Sequence, residues 1–360
     1  MQTVIALLGK KDQPTDAVEE YCRYLGLALQ PHDIQVDIRR VPWEIHGWKA
    51  SLKTLPLIAN LWRNTWVLVQ YTALAWSARG FPQKVLRVLD VLKKAGARVG
   101  IVFHDVLPYP GTRLVDRLRG FTQVQVMRRA VAVADLAILT VPAEKLSWLP
   151  IPLENVAFVP VGANLPIAES PSAAKPQNAV PQIAVFGITG GEAGNRETSA
   201  IVGAVRRAAQ SLGTLALTVF GRGVIEHEEA LRQGLAGVPV TLSAEGVVTP
   251  EAVVKRLSAS DVLLFGRGPI SSRRGSAIAG ISCGLPVIAC SGAETASPIT
   301  DAGVVLVPEN DSAALNQALL RVLSDTDYRS ELRTRSRAAY EAHFSWKAIA
   351  ARFASVLQSK

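Results

Sequence analysis

The chain has 360 residues, 49% of them hydrophobic and 19% charged, which is too long for one ordinary core and excludes a disordered polymer. Three cysteines without a Cys-x-x-Cys, five histidines and no H-E-x-x-H argue against a disulfide framework and a metal centre, and no apolar run reaches the ~18 residues a membrane span needs. The net charge of +9 fits arginine-rich surface helices, an anionic small ligand or an anionic membrane face. Without a zinc finger, an RNP-type aromatic motif or a basic tail, nucleic acid is not an expected partner.

The opening "MQTVIALLGKKDQPTD" has no basic segment before its apolar run and no A-x-A cleavage site. It reads as a first buried strand, and the expected compartment is the reducing cytoplasm, with any peripheral contact at the inner face of a membrane. Asp12, Thr15 and Asp16 fill the polar loop that follows, and Asp16 also suits a plain helix N-cap. Short β-branched runs ("TVIALL", "IQVDI", "WVLVQ", "RVGIVF", "LAILT", "VAFVP") then alternate with helical stretches at 16–30, 43–64, 82–94 and 114–134. Runs apolar on both faces, spaced by helices, predict an α/β doubly wound parallel sheet. The segment 43–66 carries Trp43, Trp48, Trp62 and Trp66 with Lys49, Lys53 and Arg63. It reads either as a core-facing aromatic stripe or as a peripheral membrane contact. His104 and Asp105 directly follow "VGIVF", where a buried strand aims polar groups into a cleft; His104 can donate a hydrogen bond, and Asp105 can orient a hydroxyl or act as a base.

"GANLPIAESPSAAKPQNAVPQ" is rich in Pro, Ala, Ser and Asn without a period, as a linker would be. The rhythm restarts with "IAVFG", "LALTVFG", "VPVTLS", "DVLLFG", "LPVIA" and "GVVLVP". The expected organisation is therefore a first Rossmann-like domain over 1–165, a linker over 166–181 and a second over 182–343, facing a cleft. A last helix over 344–360 starts after a break near Phe344-Ser345. In "VFGITGGEAGNRE", Gly187, Gly190 and Gly191 make a phosphate-compatible turn before a helix, although not at dinucleotide-fingerprint spacing. Arg222 ends the next strand in "FGRG", and Thr249-Pro250 is a purely structural helix start.

The most informative stretch is "DVLLFGRGPISSRRGSAIAGISCG". Strand, glycine-bearing loop and a helix start of small residues bring Ser271, Ser272, Arg273, Arg274, Gly275 and Ser276 together. Unpaired amides at the positive end of a helix dipole, flanked by guanidinium forks, suit a phosphate or diphosphate. A basic surface loop before a tightly packed core helix is the structural alternative.

The order of segments in "SCGLPVIACSGAETASPITDAGVVLVPENDSAALNQALLRVLSD", followed by "EAHFSWKAIAARF", resembles the C-terminal domain of retaining GT-B glycosyltransferases of the group 1, or family 4, type. The likeness runs over about 184–353. It implies two Rossmann-like domains whose last helix crosses back to the first. It also implies transfer of a sugar, with retention, from a nucleoside-diphosphate sugar to a glycan, a lipid-linked or another hydroxyl acceptor, with no cofactor or metal required. By the same resemblance His104 and Asp105 lie beside the donor sugar, Arg196 faces the donor diphosphate, and the nucleobase lies near Gly246 and Val247; Arg222, at the carboxyl edge of its strand, faces the cleft as a further donor-binding candidate. Arg273 and Arg274 would offset charge on the leaving diphosphate, and the loop carrying Asp12, Thr15 and Asp16 would shape the acceptor site. Many members carry an E-x7-E pair in this segment, where Ser271 and Ala279 stand here; Glu294 is the candidate replacement carboxylate. Two rival readings stay open, a nucleotide-sugar epimerase of the same architecture and a non-catalytic sugar-nucleotide-binding homologue.

Overall fold

The computed structural model describes residues 1–13, 16–150, 153–166 and 180–359; Thr15 and most of the expected linker lie outside them. In chain order the elements begin with β1 (Gln2–Leu8), α1 (Ala17–Leu29), β2 (Ile34–Arg40), α2 (Trp43–Ala59), β3 (Trp66–Tyr71), α3 (Lys84–Lys94) and β4 (Arg98–Phe103). Next come α4 (Leu114–Val133), β5 (Leu136–Leu139), β6 (Val156–Phe158), β7 (Gln182–Phe186), α5 (Gly191–Leu212), β8 (Leu215–Phe220), α6 (Val224–Gly234) and β9 (Val240–Glu245). The chain ends with α7 (Pro250–Ala259), β10 (Val262–Phe265), α8 (Gly275–Ser282), β11 (Val287–Cys290), β12 (Val304–Val307), α9 (Ser312–Ser324), α10 (Thr326–Ala339) and α11 (Trp346–Gln358). Two compact units result, Met1–Pro160 with Trp346–Lys360, and Val161–Ser345.

The first unit holds a parallel sheet in the order β2-β1-β3-β4-β5-β6. Its central strands are covered on both sides, so every residue of β3 is buried and no polar alternation is needed. Helices α2, α3 and α4 pack side by side, while α1 packs on α11. Val85, Val88, Leu89 and Leu92 of α3 are fully buried, each worth roughly 2 kcal/mol of apolar burial. Helix α11 is held by Trp346, which stacks on Tyr24 at 5.6 Å between ring centroids, and by Trp66 Nε1, which donates to the Leu357 carbonyl at 3.2 Å.

The tryptophans of segment 43–66 resolve in favour of the core. Trp43 and Trp62 are each 8% exposed, Trp66 is fully buried, and Trp48 stacks on Trp43 at 5.1 Å. Trp43 and Trp62 belong to the unit's main core, Trp48 packs against it, and Trp66 turns to α11, so these side chains are spent on packing. The helix also breaks at Gly47 (φ 73°) before continuing.

The second unit holds the parallel order β12-β11-β10-β7-β8-β9. One apolar layer lies under α5, α6 and α9, and another under α7 and α8. Side chains of Thr249, Asp311 and Asp325 cap α7, α9 and α10. A single π-helical turn, Tyr340–Phe344, ends this unit, and Phe344 fills its core.

Candidate functional site

In the second unit three adjacent strands, β10, β7 and β8, end in Phe-Gly at Phe265-Gly266, Phe186-Gly187 and Phe220-Gly221. Phe186 and Phe220 stack at 5.0 Å beneath the turns. Gly187 adopts φ 80°, and a Cβ there would meet Arg267 Nη1 at 3.3 Å and the Arg222 carbonyl at 3.6 Å. Arg267 is half-buried and, among the described residues, its side chain forms no hydrogen bond or ion pair. Burial pushes its pKa down from the ordinary arginine value; Glu197 opposes that shift and Arg222 adds to it. A guanidinium stays charged even so, which leaves desolvated positive charge beside a glycine turn and a second arginine.

Helix α5 begins at Gly191 with Gly190 as its N-cap, and neither glycine offers a capping side chain. An added Cβ at Gly191 or Gly275 would meet nothing within 4 Å, so both helix starts have room around the backbone, although the Gly191 amide already donates to Glu226 Oε1 at 3.3 Å. The amides of Gly275 and Ser276 have no protein acceptor among the described residues. Gly194 is needed for a different reason: its Cβ would fall 1.8 Å from the Thr189 carbonyl oxygen, so the β7–α5 turn closes directly onto the helix. Arg196, one turn further on, is exposed.

The two arginines before α8 have different partners. Arg273 donates from Nε and Nη2 to the two carboxylate oxygens of Glu294 at 2.8 and 2.9 Å, and Ser271 Oγ donates to the same carboxylate at 3.0 Å. Glu294 is 6% exposed, and Ser271 and Ser272 are buried. This bidentate pair neutralises Arg273 and pins the loop. Arg274 is the N-cap of α8, and its Nε donates to the Pro269 carbonyl at 3.3 Å.

In the first unit a cavity of about 360 Å³ opens at the carboxyl ends of β1, β3 and β4, lined by Lys10, Lys11, Asp12, Asp16, Gln70, Asp105 and Tyr109 among others. The β1 and β3 loops touch at Gly9, where a Cβ would fall 2.1 Å from the Ala75 carbonyl oxygen. Asp16 caps α1 by accepting from the amides of Val18 and Glu19, and it also accepts from Arg40 at 3.0 Å. Asp12 accepts from the Gln13 amide at 2.9 Å. Asp105 accepts from the Ala73 amide at 3.0 Å and from the Tyr109 hydroxyl at 2.7 Å.

His104 is not part of that wall among the described residues. Its Nε2 meets Gln70 Oε1 at 2.9 Å, and Tyr21 stands edge-on at 4.9 Å. Because the Gln70 amide nitrogen donates to the Leu68 carbonyl, its oxygen faces the imidazole, and Nε2 carries the proton. Burial pulls the His104 pKa down to about 4, only partly offset by Asp16, so the ring is neutral at pH 7. Donation from the neutral ring is thus the form available to it.

No family model matches the chain. Over 153 residues it is 26% identical to a Corynebacterium glutamicum protein named GDP-mannose-dependent monoacylated alpha-(1-6)-phosphatidylinositol monomannoside mannosyltransferase. That match covers 40% of this chain and 39% of the relative, so it spans well under half of the relative's length. Among solved structures, HepE of Anabaena in complex with UDP and glucose superposes over all of both chains, with a TM-score of 0.65 at 15% identity. A glycosyltransferase from Rickettsia africae covers 100% of this chain and 99% of its own, with a TM-score of 0.70 at 14% identity.

The chain has the GT-B fold.

Within this GT-B chain the two expected Rossmann-like sheets are present in full. Around the strand ends of the second unit the structure gathers Gly187, Gly190, Gly191, Arg222, Ser272, Arg273, Arg274, Gly275, Ser276 and Glu294. It adds Arg267, which sequence reasoning passed over as part of a glycine-bearing loop. A signal was present: "FGRG" occurs twice, at 220–223 and 265–268, once on each side of β7. In the first unit Asp12, Asp16 and Asp105 share one cavity, and Tyr109 joins them unforeseen. Among the described residues no group of three or more His, Cys, Asp or Glu is placed to hold a metal ion.

Proposed function

We propose that the chain is a glycosyltransferase that binds a nucleoside-diphosphate sugar in its second unit and an acceptor hydroxyl in its first, and transfers the sugar with retention. The observation that carries the reading is the half-buried Arg267, whose side chain forms no hydrogen bond or ion pair among the described residues, beside Gly187 and Arg222 and near the open amides at the start of α8. A desolvated cation whose burial is only partly offset by the nearby Glu197 is stabilised further when a ligand supplies an anion, and a diphosphate has the charge and the acceptor oxygens for it. Arg267, Arg222 and Arg274, with the amides of Gly275 and Ser276, would meet the charge that grows on the departing diphosphate. Arg273, tied to Glu294, would hold the loop in place, while Gly190, Gly191 and Arg196 would border the donor.

Ser271 stands where the resembling family carries its first glutamate, and it bonds the Glu294 carboxylate from the next loop. Glu294 is therefore the candidate carboxylate near the donor. In the first unit Asp12, Asp16 and Asp105 would orient the acceptor, and the neutral His104 would act through Gln70 as a positioning residue. Positioning and leaving-group stabilisation would supply the rate. The mannosyltransferase relative's name supports a sugar-nucleotide donor and an acceptor on a phospholipid, and the HepE complex supports a uridine nucleotide.

The test is incubation of the protein with GDP-mannose and UDP-glucose. The readouts are released nucleoside diphosphate and, by NMR, the anomeric configuration of the freed or transferred sugar. Release of the diphosphate with the donor's configuration retained is expected. Interconversion of sugar epimers without diphosphate release, or binding without turnover across acceptors, would overturn it.

A further inference from the structure

The outer face of α4 does not look like a solvated helix face. Its inner face carries Gln123, Val126, Met127, Ala130 and Val131, all buried. The opposite face of its first two turns places Leu114, Leu118 and Phe121 in one stripe at i, i+4, i+7 spacing, 84%, 58% and 64% exposed. A helix apolar on both faces should be covered on both. Among the described residues nothing covers this stripe.

The charges beside the stripe narrow what can cover it. Arg113 and Arg117 flank it, are exposed, and form no ion pair among the described residues. Asp116, the acid of this helix, is already paired with Arg119 at 2.7 Å. A second copy of the chain meeting this face through a two-fold axis would set arginine against arginine. A bilayer with anionic headgroups offers both an apolar layer for leucine and phenylalanine and phosphates for the guanidinium groups.

The inner side of the same helix grips the loops around the first unit's cavity. Arg119 Nε donates to the Arg79 carbonyl, Gln123 Nε2 donates to the Gly80 carbonyl, and Gln123 Oε1 accepts from the Tyr109 amide. We infer that the first two turns of α4, through Leu114, Leu118, Phe121, Arg113 and Arg117, form a docking face for an anionic lipid surface. If the proposed transferase reading holds, this face sets the acceptor cavity beside that surface. Docking itself does not depend on that reading, and the two are measured separately.

The experiment is co-sedimentation of the full chain with vesicles of phosphatidylcholine alone and of phosphatidylcholine mixed with phosphatidylglycerol, with thermal melts as a folding control. The mixed vesicles should bind the wild type at least about tenfold more tightly, and added salt should weaken that binding. L118E/F121E should lose at least about tenfold in binding at an unchanged melting temperature. R113E/R117E should lose the preference for anionic vesicles. L57E/L61E alters a second exposed apolar pair, at and just beyond the end of α2, and should bind as the wild type does. The inference falls if the wild type ignores anionic vesicles, if L118E/F121E binds undiminished, or if L57E/L61E loses as much. It falls equally if the wild type sediments as a dimer that L118E/F121E dissolves without any vesicle binding.

Discussion

Replacing Glu294 by Gln removes the carboxylate that neutralises Arg273 while keeping the side chain's size. Glu294 accepts three hydrogen bonds at 2.8–3.0 Å and is 6% exposed, so the guanidinium it leaves behind is poorly solvated. Breaking a buried ion pair by deleting one partner costs about 3–5 kcal/mol, and Gln still accepts one hydrogen bond, which places E294Q near 3 kcal/mol. For a unit of this size that lowers the melting temperature by roughly 6–12 °C. The unpaired Arg273 should also make the variant more responsive to anions, so added pyrophosphate should raise its melting temperature more than the wild type's. E294Q/R273M, which removes both charges, should recover most of the loss without recovering the pyrophosphate response. Differential scanning fluorimetry of the three proteins with and without pyrophosphate reads all of this. An E294Q melt within 2 °C of wild type (well under the ~6 °C lower bound) would refute the assignment of Glu294 as the neutralising partner.

Two further predictions concern the units separately. His104 has a folded pKa of about 4, below its unfolded value, so the unfolded chain takes up the proton more readily. Stability is then full above pH ~6.5 and falls as pH drops towards 4, by about 2 kcal/mol at pH 5 from this group alone. Guanidinium melts at pH 7 and pH 5 should show that much less acid sensitivity in H104Q than in wild type; equal sensitivity would contradict the neutral assignment. Gly194→Ala forces a Cβ to 1.8 Å from the Thr189 carbonyl oxygen, so it should cost about 1–3 kcal/mol and weaken nucleotide binding as the Gly190-Gly191 turn shifts. Unaltered melting and unaltered binding of UDP and GDP together would show that the turn is not built on this contact.

Much of the fold was legible because parallel sheets write themselves as unbroken apolar runs. β3, buried throughout, could be little else, and the caps at Asp16 and Thr249-Pro250 set helix starts one residue at a time. The candidate site was less legible, since its contacts are set by strand order and not by spacing along the chain. Arg267 and Gly187 are 80 positions apart, and they meet because β10 and β7 are neighbours in the sheet. The Arg273–Glu294 pair is equally invisible in sequence, because it joins a loop before α8 to a loop after β11. Segment 43–66 shows the reverse limit. Tryptophan and lysine at helical spacing fit a core stripe and a membrane face equally well, and only the burial of Trp43, Trp62 and Trp66 decides. The exposed stripe on α4 is not legible in the sequence, because Leu114, Leu118 and Phe121 have the same helical spacing as a core face and only the packing of the other face separates the two.

The most direct measurement is isothermal titration of wild type and R267A with UDP, GDP and the corresponding nucleosides. The diphosphates should bind wild type at least tenfold more tightly than the nucleosides, and R267A should lose about 10–100-fold for the diphosphates alone. Because it removes a desolvated charge, the same variant should melt no lower than wild type in the absence of ligand. Equal affinity of wild type for UDP and uridine, or an R267A that binds UDP as wild type does, would contradict a diphosphate site at the ends of β7, β8 and β10.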